Sequence, residues 1–371
     1  MFFDLSVFWT IISFILIFSV IVIGHEGGHY IVARINGIHV VEFTVGLGPQ
    51  IFHFTKNGTI FSLRALPFGG ACIFENPDDA DDNDIKIKEK NEEKLVDDLI
   101  PSKKSRAFKD ANVWSRIATV VAGPVFNVIL AYFLGLLVCF VCGEIDTTVG
   151  EVMEDYPAFE AGIRAGDKIT EINGENIYLF SEIQLLSYVD NHENWEIVYE
   201  RNGEEHTCTV TPVFNTETTR IIGITSSKPI SCNNFKMFKY SLLEVRYWLK
   251  ATFKSLKMLV TGRLTKDDLS GPVGIAKVID DTIEETSSYG FLTVFINMVN
   301  IALLLSVNLG VMNLLPFPAL DGGRLIFLLI ESVTHKKVSE KVEAVIHAIG
   351  FVLLMILAIF VLVNDITKFF R

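Results

Sequence analysis

The sequence predicts a polytopic α-helical membrane protein. About four transmembrane helices carry a membrane-associated β-hairpin and an extracytoplasmic α+β domain. Three observations lead there. Half of the 371 residues are hydrophobic, and the mean hydropathy is positive. Four apolar runs, at 5–24, 117–142, roughly 291–315 and 345–363, are each long enough to cross a hydrocarbon core of about 30 Å as a helix. Between the second and third runs the pattern changes to short alternating segments with Gly- and Asn-rich turns.

The first run has no basic leader and no small-residue cleavage site, so it reads as a retained span. After it, 40–56 alternates like a strand. Residues 75–98 follow with eleven acidic side chains against four lysines, which reads as a solvated loop. The domains expected are 1–142, an N-terminal membrane part; 143–225, the outer domain; 226–290, an amphipathic surface helix and connector; and 291–371, a C-terminal membrane part.

The net charge of −12 argues against a nucleic-acid partner, which would favour a basic stripe. The five cysteines, Cys72, Cys139, Cys142, Cys208 and Cys232, show no disulfide spacing. Cys139 and Cys142 lie inside an apolar run and read as packing residues.

Basic residues orient the chain. Lys103, Lys104, Arg106, Lys109 and Arg116 crowd the start of the second span, and His335, Lys336, Lys337 and Lys341 precede the fourth. The positive-inside rule puts 31–111 and 331–344 in the cytoplasm and 143–290 outside. Lys368 and Arg371 oppose this mildly.

His25-Glu26-Gly27-Gly28-His29 closes the first run. Positions i and i+4 share a helix face, so both imidazoles reach one ion. Zn²⁺ suits two imidazoles, a carboxylate and a water, and Glu26 stands beside that water as general base. Polar groups at this depth are costly unless paired, coordinated or wet. Asp321 is the candidate third ligand. It lies in Asn313-Leu314-Leu315-Pro316-Phe317-Pro318-Ala319-Leu320-Asp321-Gly322-Gly323, where prolines and glycines break the helix and turn a carboxylate toward the first span. Asn308 and Asn313 read either as helix-capping or interhelical groups or as binders of substrate backbone or an oxyanion.

These two motifs resemble those of the RseP-type site-2 proteases. Further similarity lies in Val45-Gly46-Leu47-Gly48-Pro49, Arg64-Ala65-Leu66-Pro67-Phe68-Gly69-Gly70, Ser105-Arg106-Ala107-Phe108, Ala122-Gly123-Pro124-Val125-Phe126-Asn127 and Ser270-Gly271-Pro272-Val273-Gly274-Ile275. The resemblance implies a zinc endopeptidase of the bacterial plasma (inner) membrane. His25, His29 and Asp321 are then ligands, Glu26 is catalytic, and Asn308, Asn313, Gly46 and Gly48 handle substrate. The implied substrates are single-span proteins in the lipid bilayer, such as anti-sigma factors or signal-peptide remnants, already cut once by an upstream site-1-type protease. The acidic stretch 75–98 departs from the family pattern.

Pro157–Gly174 resembles the core signature of a bacterial PDZ domain. Ser181–Val189 reads as a helix, and Trp195–Arg201 and His206–Thr211 as a hairpin around Asn202-Gly203. Such a domain either recognises a freed C-terminus by strand addition or filters substrates by size. The filter is preferred, because no carboxylate-binding residue is legible. In 235–260, Phe238, Leu242, Val245, Leu249, Phe253, Leu256 and Val260 recur at spacings of three and four. The basic residues lie largely off that stripe. This fits a helix lying on the membrane surface, with a core helix of the outer domain as the alternative.

A non-enzymatic scaffold presenting the outer domain would leave His25, Glu26, His29 and Asp321 unexplained. A metal transporter would need polar residues spread over several spans. For a protease, the edge of the 40–56 strand is expected to pair with unwound substrate.

Overall fold

A computed structural model describes residues 5–75, 106–216, 219–232, 235–264 and 268–369. The acidic stretch lies outside them except for Glu75, whose carboxylate is 3.0 Å from His39 Nδ1. The chain divides into two compact units, 1–131 with 266–371, and 132–265.

Among the described residues, four helices have the length and apolarity to span a membrane: α1 (Leu5–Ile35), α2 (Val113–Cys142), α7 (Phe291–Asn313) and α9 (Glu340–Phe369). The first outruns its apolar stretch. At 1.5 Å per residue it is about 46 Å long, and it carries the histidine motif in its interior. After α7, residues 314–320 turn and α8 (Asp321–Thr334) begins at Asp321 itself. The glycines beside it answer to crowding: a Cβ on Gly322 would lie 2.1 Å from the Leu315 carbonyl oxygen. Helix α6 (Pro272–Ser287) is held at its start by the α9 residue Asp365, whose carboxylate accepts the Gly271 and Gly274 N–H groups at 2.9 and 2.8 Å.

The β region is more folded than its sequence pattern implies. Strands β1 (Val40–Lys56) and β2 (Thr59–Phe74) join through Asn57 and Gly58, both at positive φ, as a two-residue hairpin turn requires. Val45 pairs with both Leu63 and Gly70. Each strand therefore doubles back, giving the order 50–56, 59–64, 40–45, 70–74. The expected free edge along 40–56 is found in its second half only: 50–56 is an outer lane, whereas 40–45 is paired on both sides, because its partners come from both halves of β2. The outer lanes are 50–56 and 70–74. Leu47, Ile51, Phe52 and Phe54 are exposed apolar residues, as suits a membrane-associated sheet.

In the second unit, β3 (Val149–Val152), a short helix α3 (Pro157–Glu160), β4 (Lys168–Ile172), β5 (Glu175–Asn176), α4 (Phe180–Val189), β6 (Trp195–Arg201) and β7 (Glu204–Val210) enclose a core around Trp195, Ile169, Ile172 and Ile197. Short strands β8 (Val213–Phe214), β9 (Arg220–Ile221) and β10 (Ile224–Ser226) complete it, β10 pairing with β3. The expected hairpin forms around Asn202 and Gly203, both at positive φ. Burial alone would raise the Asp167 carboxyl, but the Arg201 guanidinium at 2.7 Å outweighs it and holds it below the usual range.

Helix α5 (Lys236–Val260) is formed as expected, but its basic face is not simply solvated. Arg246 and Lys250 reach the buried Glu182 at 2.7 and 3.2 Å, and Lys254 reaches Glu175 at 2.9 Å. Phe238, Leu242, Phe253 and Val260 of the apolar stripe stay exposed, whereas Val245 is buried. The helix thus belongs with the second unit through its charges while keeping an exposed apolar face.

Candidate active site

The site is assembled from α1, α2, α7 and α8. The helical spacing of His25 and His29 puts both rings on one side of α1, with Nε2 atoms 3.3 Å apart. The break after α7 delivers Asp321, whose Oδ2 is 3.2 Å from His25 Nε2 and 3.4 Å from His29 Nε2. His25, Glu26 and His29 are each no more than 9% exposed.

Zn²⁺ fits this arrangement on three counts. Asp321 Oδ2 is buried and accepts no hydrogen bond, so an oxygen that would cost free energy alone faces two imidazoles. His29 Nδ1 lies 2.8 Å from the Thr119 carbonyl, so it carries the ring proton, and Nε2 presents a lone pair. A tetrahedral ion with bonds of about 2.0–2.1 Å separates its ligand atoms by about 3.3–3.4 Å, close to the three spacings observed. Among the described residues, this trio is the group of acidic, histidine or cysteine side chains that converges on one point.

The remaining predicted residues are disposed around it. Glu26 has His25, His29 and Asp321 as electrostatic neighbours, and its carboxyl meets the Cys72 backbone N–H. The 70–74 lane therefore passes directly beside Glu26. It comes so close that a Cβ on Gly70 would lie 2.9 Å from Glu26 Cγ. Asn313 Nδ2 is 3.2 Å from His25 Nε2. Asn308 is five residues earlier on α7, about 7.5 Å along its axis. Gly46 and Gly48 form the corner after Val45 with φ of +89° and +87°, which their lack of a Cβ permits.

Sequence reasoning singled out the segment 122–127 but gave it no place behind the candidate ligands. Thr119, Gly123 and Asn127 recur every four residues along α2. A Cβ on Gly123 would lie 2.3 Å from His29 Nε2 and 2.8 Å from His25 Cε1. A buried Asn inside a span was the available signal. A buried ion pair, Arg116 with Glu331, ties the start of α2 to α8. A 510 Å³ cavity lined by Arg324, Glu331 and His347 borders Asp321.

Residues 13–357 match peptidase family M50. The chain belongs to this family. Zinc metalloprotease RasP of Geobacillus kaustophilus is 33% identical over 97% of this chain and 98% of its own length. Its namesake in Bacillus licheniformis is 31% identical over 97% and 99%. The regulator of sigma-W protease RasP of Bacillus subtilis is 30% identical over 97% and 99%. Among solved structures, the PDZ domain of an SdrC-like protein from Listeria monocytogenes is similar over 23% of this chain and 87% of that chain, at 24% identity and a TM-score of 0.19. Membership of family M50 makes this chain a peptidase.

Proposed function

We propose that this M50 peptidase is a zinc-dependent intramembrane endopeptidase in which His25, His29 and Asp321 hold the metal and Glu26 is the general base. The observation that carries the reading is the convergence of two lone-pair nitrogens and one unpartnered carboxylate oxygen inside a four-span bundle. Family membership and the relatives' names support a multi-pass bacterial membrane protease that uses Zn²⁺ and acts on membrane proteins.

Bound Zn²⁺ supplies Lewis acidity toward the scissile carbonyl and toward water. Glu26 takes the proton of the attacking water and returns it to the leaving amine. Asn313, beside His25, donates to the carbonyl oxygen as charge develops there. Asn308 and the Gly46–Gly48 corner complete the substrate-handling set. A helical substrate hides its peptide bonds, so it must unwind. The lane 70–74, with its Cys72 N–H turned toward Glu26, is the strand on which we seat the unwound segment.

The charge rule puts the metal motif toward the cytoplasm and the PDZ-like domain outside. We propose that the substrates are single-span proteins of the anti-sigma-factor or signal-peptide-remnant kind, shortened first by another protease. The outer domain then filters by size. Replacing 148–214 by a short flexible linker should leave zinc binding intact and cleavage of a shortened substrate near normal, and raise cleavage of the full-length substrate. The ratio of the two cleavage rates checks this. Equal loss on both substrates, in folded and zinc-loaded protein, would make the domain a recognition module or brace.

A further inference from the structure

Asn127 is fully buried within the α2 span. A polar side chain there is expensive unless it has work to do. Its backbone carbonyl accepts the Ser306 hydroxyl at 2.8 Å, so the link to α7 does not use the side chain. The amide itself lies against His25, with Nδ2 3.3 Å from Nδ1. Its Oδ1 is buried without a hydrogen-bond partner.

The tautomer of His25 decides what this contact means. For His25 Nε2 to offer a lone pair toward His29 and Asp321, the ring proton must sit on Nδ1. A protonated Nδ1 needs an acceptor, and an amide N–H facing it is repulsive. The oxygen and nitrogen of an amide are nearly the same size, and a half-turn of the head group exchanges them. That exchange brings the partnerless Oδ1 onto Nδ1–H.

We infer that Asn127 is a positioning residue that fixes the tautomer and ring orientation of His25, as the Thr119 carbonyl does for His29. One face of α2 then fixes both histidines from behind. Thr119 and Asn127 hold the two outer nitrogens, and Gly123 between them leaves room for the rings. Partners of this kind orient a ligand before the metal arrives and raise its basicity. The inference rests on the reading of His25 and His29 as ligands.

The test measures zinc affinity, by chelator competition, and the visible spectrum of the Co²⁺-loaded full chain in detergent. Asn127→Leu keeps the shape and the Ser306 link but has no acceptor. It should weaken zinc binding by about 10–100-fold and alter the Co²⁺ bands. Asn127→Asp keeps an acceptor and should restore both toward wild type. Asn127→Ala, which adds no bulk, carries the same expectation as Asn127→Leu should the latter fold poorly. His25→Ala should lose tight metal outright. If Asn127→Leu and Asn127→Ala match wild type while His25→Ala loses metal, the positioning role falls and the ligand assignment stands. Equal loss in Asn127→Leu and Asn127→Asp also overturns it. Tight zinc in His25→Ala overturns the ligand assignment itself.

Discussion

Glu26→Gln should lower cleavage of a purified single-span substrate by at least about 10²–10⁴-fold and leave bound zinc unchanged. Glutamine fills the same space between the ligands and the 70–74 lane, where Gly70 leaves room for this side chain. What it lacks is the ability to take a proton from water. The three atoms proposed to hold the metal belong to other residues, so metal content separates a chemical defect from a collapsed site. Near-normal turnover in the zinc-loaded variant would remove Glu26 from the mechanism.

Gly123→Ala should cost the site at least tenfold in zinc affinity, the lower end of the roughly 10–100-fold range for disturbed outer-layer contacts. A methyl group at 2.3 Å from His29 Nε2 cannot be accommodated without moving a ring or the helix. The neighbouring atoms belong to the two imidazoles themselves, so relief comes at the expense of ligand geometry. Gly27→Ala is the matched control, because a Cβ there meets nothing within 4 Å and alanine is the better helix former. Zinc titration of the two variants distinguishes a requirement for close approach from a general intolerance of substitution in the bundle. Equal affinities would show that α2 yields more readily than its packing implies.

Much of the site was legible because its signals are local. His25 and His29 follow from helical periodicity, and Asp321 from a helix break whose prolines and glycines are visible in one stretch. The segment 122–127 of α2 stood out in the sequence, but its place against the histidines was not legible, because Thr119 and Asn127 lie 90 and 102 residues from the histidines they face, and no local pattern carries such a pairing. The β region shows the same limit from another side. Alternation identifies 40–56 as strand-like, but the lane order depends on partners such as Leu63 and Gly70 for Val45. The expected edge therefore holds for 50–56 and fails for 40–45. The basic residues of α5 favoured a membrane-surface helix over a helix of the preceding domain, because the pattern around them does not show their partners there, Glu175 and Glu182.

Zinc per chain, measured on purified wild-type protein and on Asp321→Ala, tests most directly whether these three side chains form the metal centre. Wild type should hold about one tightly bound zinc. Asp321→Ala removes the carboxylate and leaves two imidazoles that cannot close the site, so its zinc should be lost to a chelator that wild type resists. Undiminished, chelator-resistant zinc in Asp321→Ala would mean that the oxygen facing His25 and His29 is not a ligand, and that the third one lies elsewhere in the chain.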